Sequence, residues 1–152
     1  MNATVKPFSL LLLILGMLTI NGCKKEEEPI TEIQKFNTAR AKWNASNISN
    51  YTFKTSMSCF CVDISTYEVT VTNKAITSVK NTLGQEVQFT GKGFKTIDEF
   101  FQYIETTLAK KPFKASIKYN LTFGYPTEIY FDLQRDMIDE EMQHYIKEFQ
   151  PK

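Results

Sequence analysis

"TIDEFFQYIETTLAKKPFKASIKYNLTFGYPTEIYFD", residues 96–132, changes its period once. Its first part places Ile97, Phe100, Phe101, Ile104 and Leu108 on one helical stripe. Its second part alternates through Phe113, Ala115, Ile117, Tyr119, Leu121 and Phe123, as one face of a strand does. The helix has its own punctuation. Thr96 and Glu99 stand at the two positions of a capping box, in which each side chain satisfies an orphan amide. Lys110 and Lys111 suit the negative end of the macrodipole, and Pro112 stops the helix. The spacing predicts a helix over 97–110 and a long strand over 113–123. Gly124-Tyr125-Pro126 then turns the chain, because Gly admits positive φ and Pro fixes φ near −65°. Thr127 to Leu133 returns as a strand. A helix that runs directly into a hairpin builds an antiparallel sheet with helices on one face.

The chain upstream repeats this grammar. Thr31-Glu32-Ile33-Gln34 is a capping box, and Ile33, Phe36, Ala39 or Arg40, and Trp43 follow at helical spacing, which predicts a helix over 32–45. Asn44 to Asn50 reads as a turn. Tyr51, Phe53, Thr55, Met57, Cys59 and Cys61 then alternate along a strand. A second strand spans Tyr67 to Thr72, Asn73-Lys74 turns it, and a third spans Ala75 to Lys80. Residues 81–95 read as a glycine-containing loop with a brief strand at Val87 to Phe89. The tail fits two templates. Met142, His144 and Ile146 alternate, while Ile138, Met142, Tyr145 and Phe149 are spaced as on a helix; the strand is preferred. The expected fold is therefore α+β: an antiparallel sheet of about five or six strands with two helices packed on one face, in the order α-β-β-β-α-β-β-β. The two halves resemble each other, which points to a weak internal duplication.

The N-terminus supplies an address. Lys6 precedes an apolar run of 13 residues, Phe8 to Ile20. A spanning helix needs roughly 20 residues, and the core of a secretory signal about 7 to 15. Ile20-Asn21-Gly22-Cys23 then resembles the bacterial lipobox. By that resemblance residues 1–22 are a lipoprotein signal peptide, and Cys23 starts the mature chain with its sulfur and amine acylated. Two or more acyl chains hold a protein stably on a membrane. The alternative is an ordinary secretory signal that contains a cysteine. Residues 23–31, with Lys24-Lys25-Glu26-Glu27-Glu28, read as a charged tether, and 32–152 as one α+β domain. The expected place is the outer membrane of a bacterium, on its periplasmic face or at the cell surface. Lys6 is the only charged residue before Cys23, so the mature chain is close to neutral. Nothing in it suggests nucleic-acid binding, which needs a basic face. The expected partners are the membrane, through the lipid, and another envelope protein or a small ligand.

One ordered set of short motifs is specific. Trp43 precedes "NYTF" at 50–53; "CFC" at 59–61, "YEVTVTN" at 67–73 and "AITSV" at 75–79 follow; then come "TIDEFFQYI" at 96–104 and "IKYNLTFGYPTEIYFD" at 117–132. This order, over about 36–149, resembles the bacterial family called domain of unknown function 6174. The resemblance implies secreted or lipid-anchored proteins and brings no established activity. The chain departs from the pattern at Asn73-Lys74, where a glycine is usual, and at Asn120, where Asp is usual.

Few residues offer chemistry. With Cys23 taken by lipid, Cys59 and Cys61 can form one disulfide at most. On a regular strand their Cβ atoms would stand roughly 6.5 to 7 Å apart, against about 3.5 to 4.5 Å in a disulfide. The pair closes only where the strand ends or bends, and Val62 to Ser65 reads as such a loop. The preferred reading is a structural disulfide at a strand end. The others are reduced buried thiols, or a redox or soft-metal pair for Cu(I) or zinc. A zinc site would need further ligands, with His144 among them. His144 is the single histidine, and without a positioned nucleophile it makes no triad. A surface or half-buried strand position is its plainer reading. The carboxylates Asp132, Asp136, Asp139, Glu140 and Glu141 lack the pattern of a calcium loop and read as a solvated acidic stretch. Tyr125, exposed at a loop tip, and Tyr67 are the candidate binding residues, since tyrosine is enriched at interfaces. The sequence thus predicts no catalytic residue, no metal and no cofactor. The expected function is a non-catalytic binding or interaction module acting through its open sheet face or its aromatic loops. Thiol-dependent redox or soft-metal handling through Cys59 and Cys61 is the alternative.

Overall fold

The computed structural model describes residues 31–58, 65–89, 93–136 and 141–152. Residues 1–30, with Cys23 and the expected signal peptide, lie outside them, as do Cys59 and Cys61. The elements run α1 (Glu32–Ser46), β1 (Tyr51–Ser58), β2 (Tyr67–Thr72), β3 (Ala75–Lys80), α2 (Ile97–Ala109), β4 (Lys114–Tyr119), β5 (Pro126–Asp132) and β6 (Met142–Pro151). This is the predicted order, and the ambiguous tail is a strand. The six strands lie in the order β3-β2-β1-β6-β5-β4, and every neighbouring pair is antiparallel. Each half of the chain makes its own three-stranded meander, and β1 and β6 join the two. The halves follow in the same sense, 3-2-1 then 6-5-4, which is the layout a tandem duplication would leave.

Both capping boxes form. Thr31 Oγ1 accepts from Gln34 N–H at 3.3 Å, and Gln34 Oε1 accepts from Thr31 N–H at 2.8 Å. At α2 the matching distances are 3.1 Å, from Glu99 N–H to Thr96 Oγ1, and 2.7 Å, from Thr96 N–H to Glu99 Oε2. The helices cover one sheet face. α1 buries Phe36, Ala39 and Trp43, and α2 buries Ile97, Phe100, Phe101 and Ile104. Ile33, placed on the first stripe by sequence, is 52% exposed, so α1 begins to pack one turn later than its pattern predicts. Tyr51, Phe53, Val69, Val71, Val79, Ile117, Ile129, Phe131 and Ile146 fill the core from the sheet side. Tyr51 also accepts the N–H of Ile97 at 3.0 Å, which ties the start of α2 to β1.

Two irregularities shape the ends of the sheet. First, the pairing of β1 with β6 slips between Thr52 and Lys54, where Glu148 takes the left-handed φ of 50°. The bulge inserts a residue and reverses the alternation. Phe149 therefore packs against Trp43 and Tyr51 in the core, out of step with His144 and Ile146. Second, β4 ends at Tyr119 and does not continue to Phe123. Asn120 Oδ1 accepts from the N–H groups of Thr122 and Phe123, at 3.0 and 2.8 Å. That side chain gives the backbone partners that a strand neighbour would otherwise supply. Leu121, expected on the strand's apolar face, is 87% exposed as a result.

Candidate functional site

Two aromatic clusters lie at opposite ends of the covered sheet face. At one end the turn carrying Gly124 presses on α1. Gly124 has φ +82°, and a Cβ added there would meet the Ala39 carbonyl oxygen at 2.3 Å. The close approach buries Pro126 and the ring of Tyr125, which stacks on Phe149 with centroids 4.4 Å apart. Tyr125 is 7% exposed, which corrects the expectation of a contact residue at a loop tip. The backbone fit allowed by Gly124 draws Tyr125 inward.

The other end is open. Tyr67 meets Phe94 edge to face at 5.1 Å, and with Met57, Phe100 and His144 these rings line a cleft of about 400 Å3. Ligand sites commonly fall between 300 and 1,000 Å3. Met57 and His144 are register partners on β1 and β6. Phe94 and Lys95 come from the chain just before the Thr96 cap, so the capping box of α2 also positions one wall.

His144 is the unusual member. It is 5% exposed and not at the surface, because it shares the buried face with Ile146 two residues on. The rings of Phe100 and Tyr103 meet its imidazole edge to face at 5.5 and 5.4 Å. Its Nε2 is buried and has no hydrogen-bond partner among the described residues. Burial first, and then the charge of Lys95, lower its pKa from 6.5 to about 4, so the ring is neutral near pH 7. The ammonium of Lys95 sits 5.6 Å from the Tyr103 ring centroid. No acidic side chain is among the described residues lining the cleft.

A larger hollow, about 590 Å3, lies on the uncovered sheet face and includes Lys54, Glu68, Lys80, Tyr145, Lys147 and Glu148. Its charges already answer one another. Lys54 pairs with Glu148 at 2.6 Å, Lys80 with Glu86 at 3.7 Å, and Lys147 lies over the Tyr145 ring. The open face is polar and internally paired. The smaller cleft is mostly apolar and is lined by His144, whose buried Nε2 has no partner among the described residues, so it is the stronger candidate. Among the described residues no three of His, Cys, Asp and Glu gather as a metal site would require. Of the acidic stretch, Asp136 and Glu141 are exposed, and Asp139 and Glu140 lie outside the described residues.

A family model described as a family of unknown function, DUF6174, matches residues 35–151. The chain belongs to that family. No curated protein and no solved structure matched it. In this DUF6174 domain the two departures noted in the sequence acquire a structural meaning. Asn120 keeps the oxygen that accepts two backbone N–H groups, a role an aspartate shares. Asn73 and Lys74 adopt φ of 50° and 64° without a glycine. They are held by the Asn50 side chain, which accepts from Asn73 N–H at 2.8 Å, and by the Ser49 carbonyl, which accepts from Lys74 N–H at 2.9 Å. Of the residues chosen from sequence, Tyr67 lines the cleft, Tyr125 does not, and Cys59 and Cys61 lie outside the described residues. Phe94 and Lys95 were not foreseen, since a glycine-flanked loop carries no periodicity. His144 had a signal, the shared parity with Met142 and Ile146 that marks the inner face.

Proposed function

We propose that this is a lipid-anchored bacterial envelope protein whose domain is a non-catalytic binding module, with its ligand site in the cleft between Tyr67, Phe94 and His144. The single observation that carries the site is the buried, unpartnered Nε2 of His144 in an apolar cleft. A buried polar atom without a partner costs about 1–3 kcal/mol, and a ligand atom reaching it would recover that. The aromatic walls supply contact area with little side-chain freedom to lose. The lipobox at Ile20 to Cys23 supports the anchor. Two measurements test the reading. Labelled fatty acid should enter the wild type and not Cys23→Ala, which should leave the membrane fraction. A fragment screen by NMR should collect its hits on Met57, Tyr67 and His144, and Tyr67→Ala should lose them. Hits scattered over the surface would count against the site.

One observation favours the second reading, soft-metal or redox work through Cys59 and Cys61. Met57, two residues before Cys59, and His144 both line the cleft, so a thioether and an imidazole already stand together. Titration with Cu(I) under reducing conditions tests it. Uptake lost in Cys59→Ser and in His144→Gln would replace the first reading, and no uptake would remove the second.

A further inference from the structure

Resting on the cleft as the binding site, we infer that its ligand is a small organic anion, a carboxylate carried on a compact apolar or aromatic body. Two residues that line the cleft, His144 and Lys95, call for the same complement. The buried Nε2 of His144 has no partner among the described residues, and an imidazole N–H there can donate to a carboxylate oxygen that reaches it. Lys95 brings a positive charge to the same cleft. Its ammonium lies over the Tyr103 ring, and no carboxylate pairs with it among the described ion pairs. Among the described residues, the charged and titratable groups that line the cleft or meet the His144 ring are Lys95 ahead of α2, Tyr103 on α2 and Tyr67 on β2, and none is a carboxylic acid. A negative head is therefore the complement that the cleft's described lining lacks.

The walls restrict what the head is attached to. Met57, Tyr67, Phe94 and Phe100 are apolar or aromatic, and about 400 Å3 suits a body of one ring or a short branched chain. Other ligand classes fit less well. A hydrocarbon would leave Nε2 unpaired and waste the charge of Lys95. An amine would be repelled by Lys95.

The test uses a matched pair of probes on the full mature chain, phenylacetate and its neutral amide phenylacetamide. NMR follows the Met57 methyl and the His144 ring. Phenylacetate should bind about tenfold or more tightly than the amide, the scale of one hydrogen bond to a charged group. Lys95→Gln should weaken the acid by about tenfold and leave the amide nearly unchanged. Lys95 belongs to no core cluster, so this variant stays folded and keeps the test decisive even if His144→Gln does not fold. Equal binding of both probes, unaffected by Lys95→Gln, would overturn the anion while sparing the binding module. Failure of both probes to move any cleft resonance at millimolar concentration would overturn both.

Discussion

Tyr125 and Tyr67 sit under the same sheet face, at its two ends, and have opposite fates. Tyr125 is sealed between Phe149 and the turn that Gly124 lets settle on α1. Tyr67 is half-buried beside an open cleft, with Phe94 as its ring partner. The residue type is the same, so the difference comes from the backbone around each. At the sealed end a bulge at Glu148 swings Phe149 into the gap, and a glycine removes the Cβ that would hold the turn away. At the open end β6 keeps strict alternation and delivers His144, a polar ring, to the inner face beside the cleft. One end is sealed and the other is left open.

The sharpest way to break that contrast is Gly124→Ala. A methyl 2.3 Å from the Ala39 oxygen, on a backbone with φ of +82°, forces the turn off α1. We expect a loss of about 3 kcal/mol or more from the combined overpacking and left-handed strain, read by urea denaturation. An unchanged midpoint would mean that the turn does not rest on the helix. Next in size is the pH response of His144. The unfolded ring protonates near pH 6.5 and the folded one near 4, so the unfolded state gains protons first as pH falls. Stability should be constant above pH 6.5 on this account. It should fall by about 1.4 kcal/mol per unit below that, to a loss of roughly 3 kcal/mol near pH 4. His144→Phe should remove this dependence, and a variant that keeps it would assign the titration elsewhere.

The two smaller effects separate function from fold. Tyr67→Ala, at the open end, should cost only about 1 kcal/mol of stability, a typical value for a partly exposed substitution. It should nevertheless abolish fragment binding in the cleft. A larger loss with binding intact would make Tyr67 a core residue like Tyr125. Lys74→Gly should stabilise the domain by up to about 1 kcal/mol, because Lys74 holds φ of 64° without the freedom of a glycine. A destabilised variant would show that the Lys74 side chain makes a contact that outweighs the relieved strain.

The architecture was legible because period and punctuation agreed. Both capping boxes, the alternations and the Asn73-Lys74 turn marked the element order residue by residue. What escaped were features set by neighbours distant in the chain. The early end of β4 depends on the Asn120 side chain competing with the ladder, and the alternation through Leu121 and Phe123 concealed it. The bulge at Glu148 depends on β1 lying alongside β6. The burial of Tyr125 depends on Gly124 meeting α1, more than eighty residues upstream in the chain. The cleft was half legible. Tyr67 and His144 stood on readable strand faces, whereas Phe94 and Lys95 come from the chain just before α2, where no period marks a face.

Solvent access at the two ends can be compared in one experiment, paramagnetic relaxation from a small neutral nitroxide. The account predicts strong enhancement at the Met57 methyl and the Tyr67 ring, with the Trp43 indole N–H and the Tyr125 ring little affected. Equal protection of both ends, or enhancement at Tyr125 without any at Met57, would contradict it.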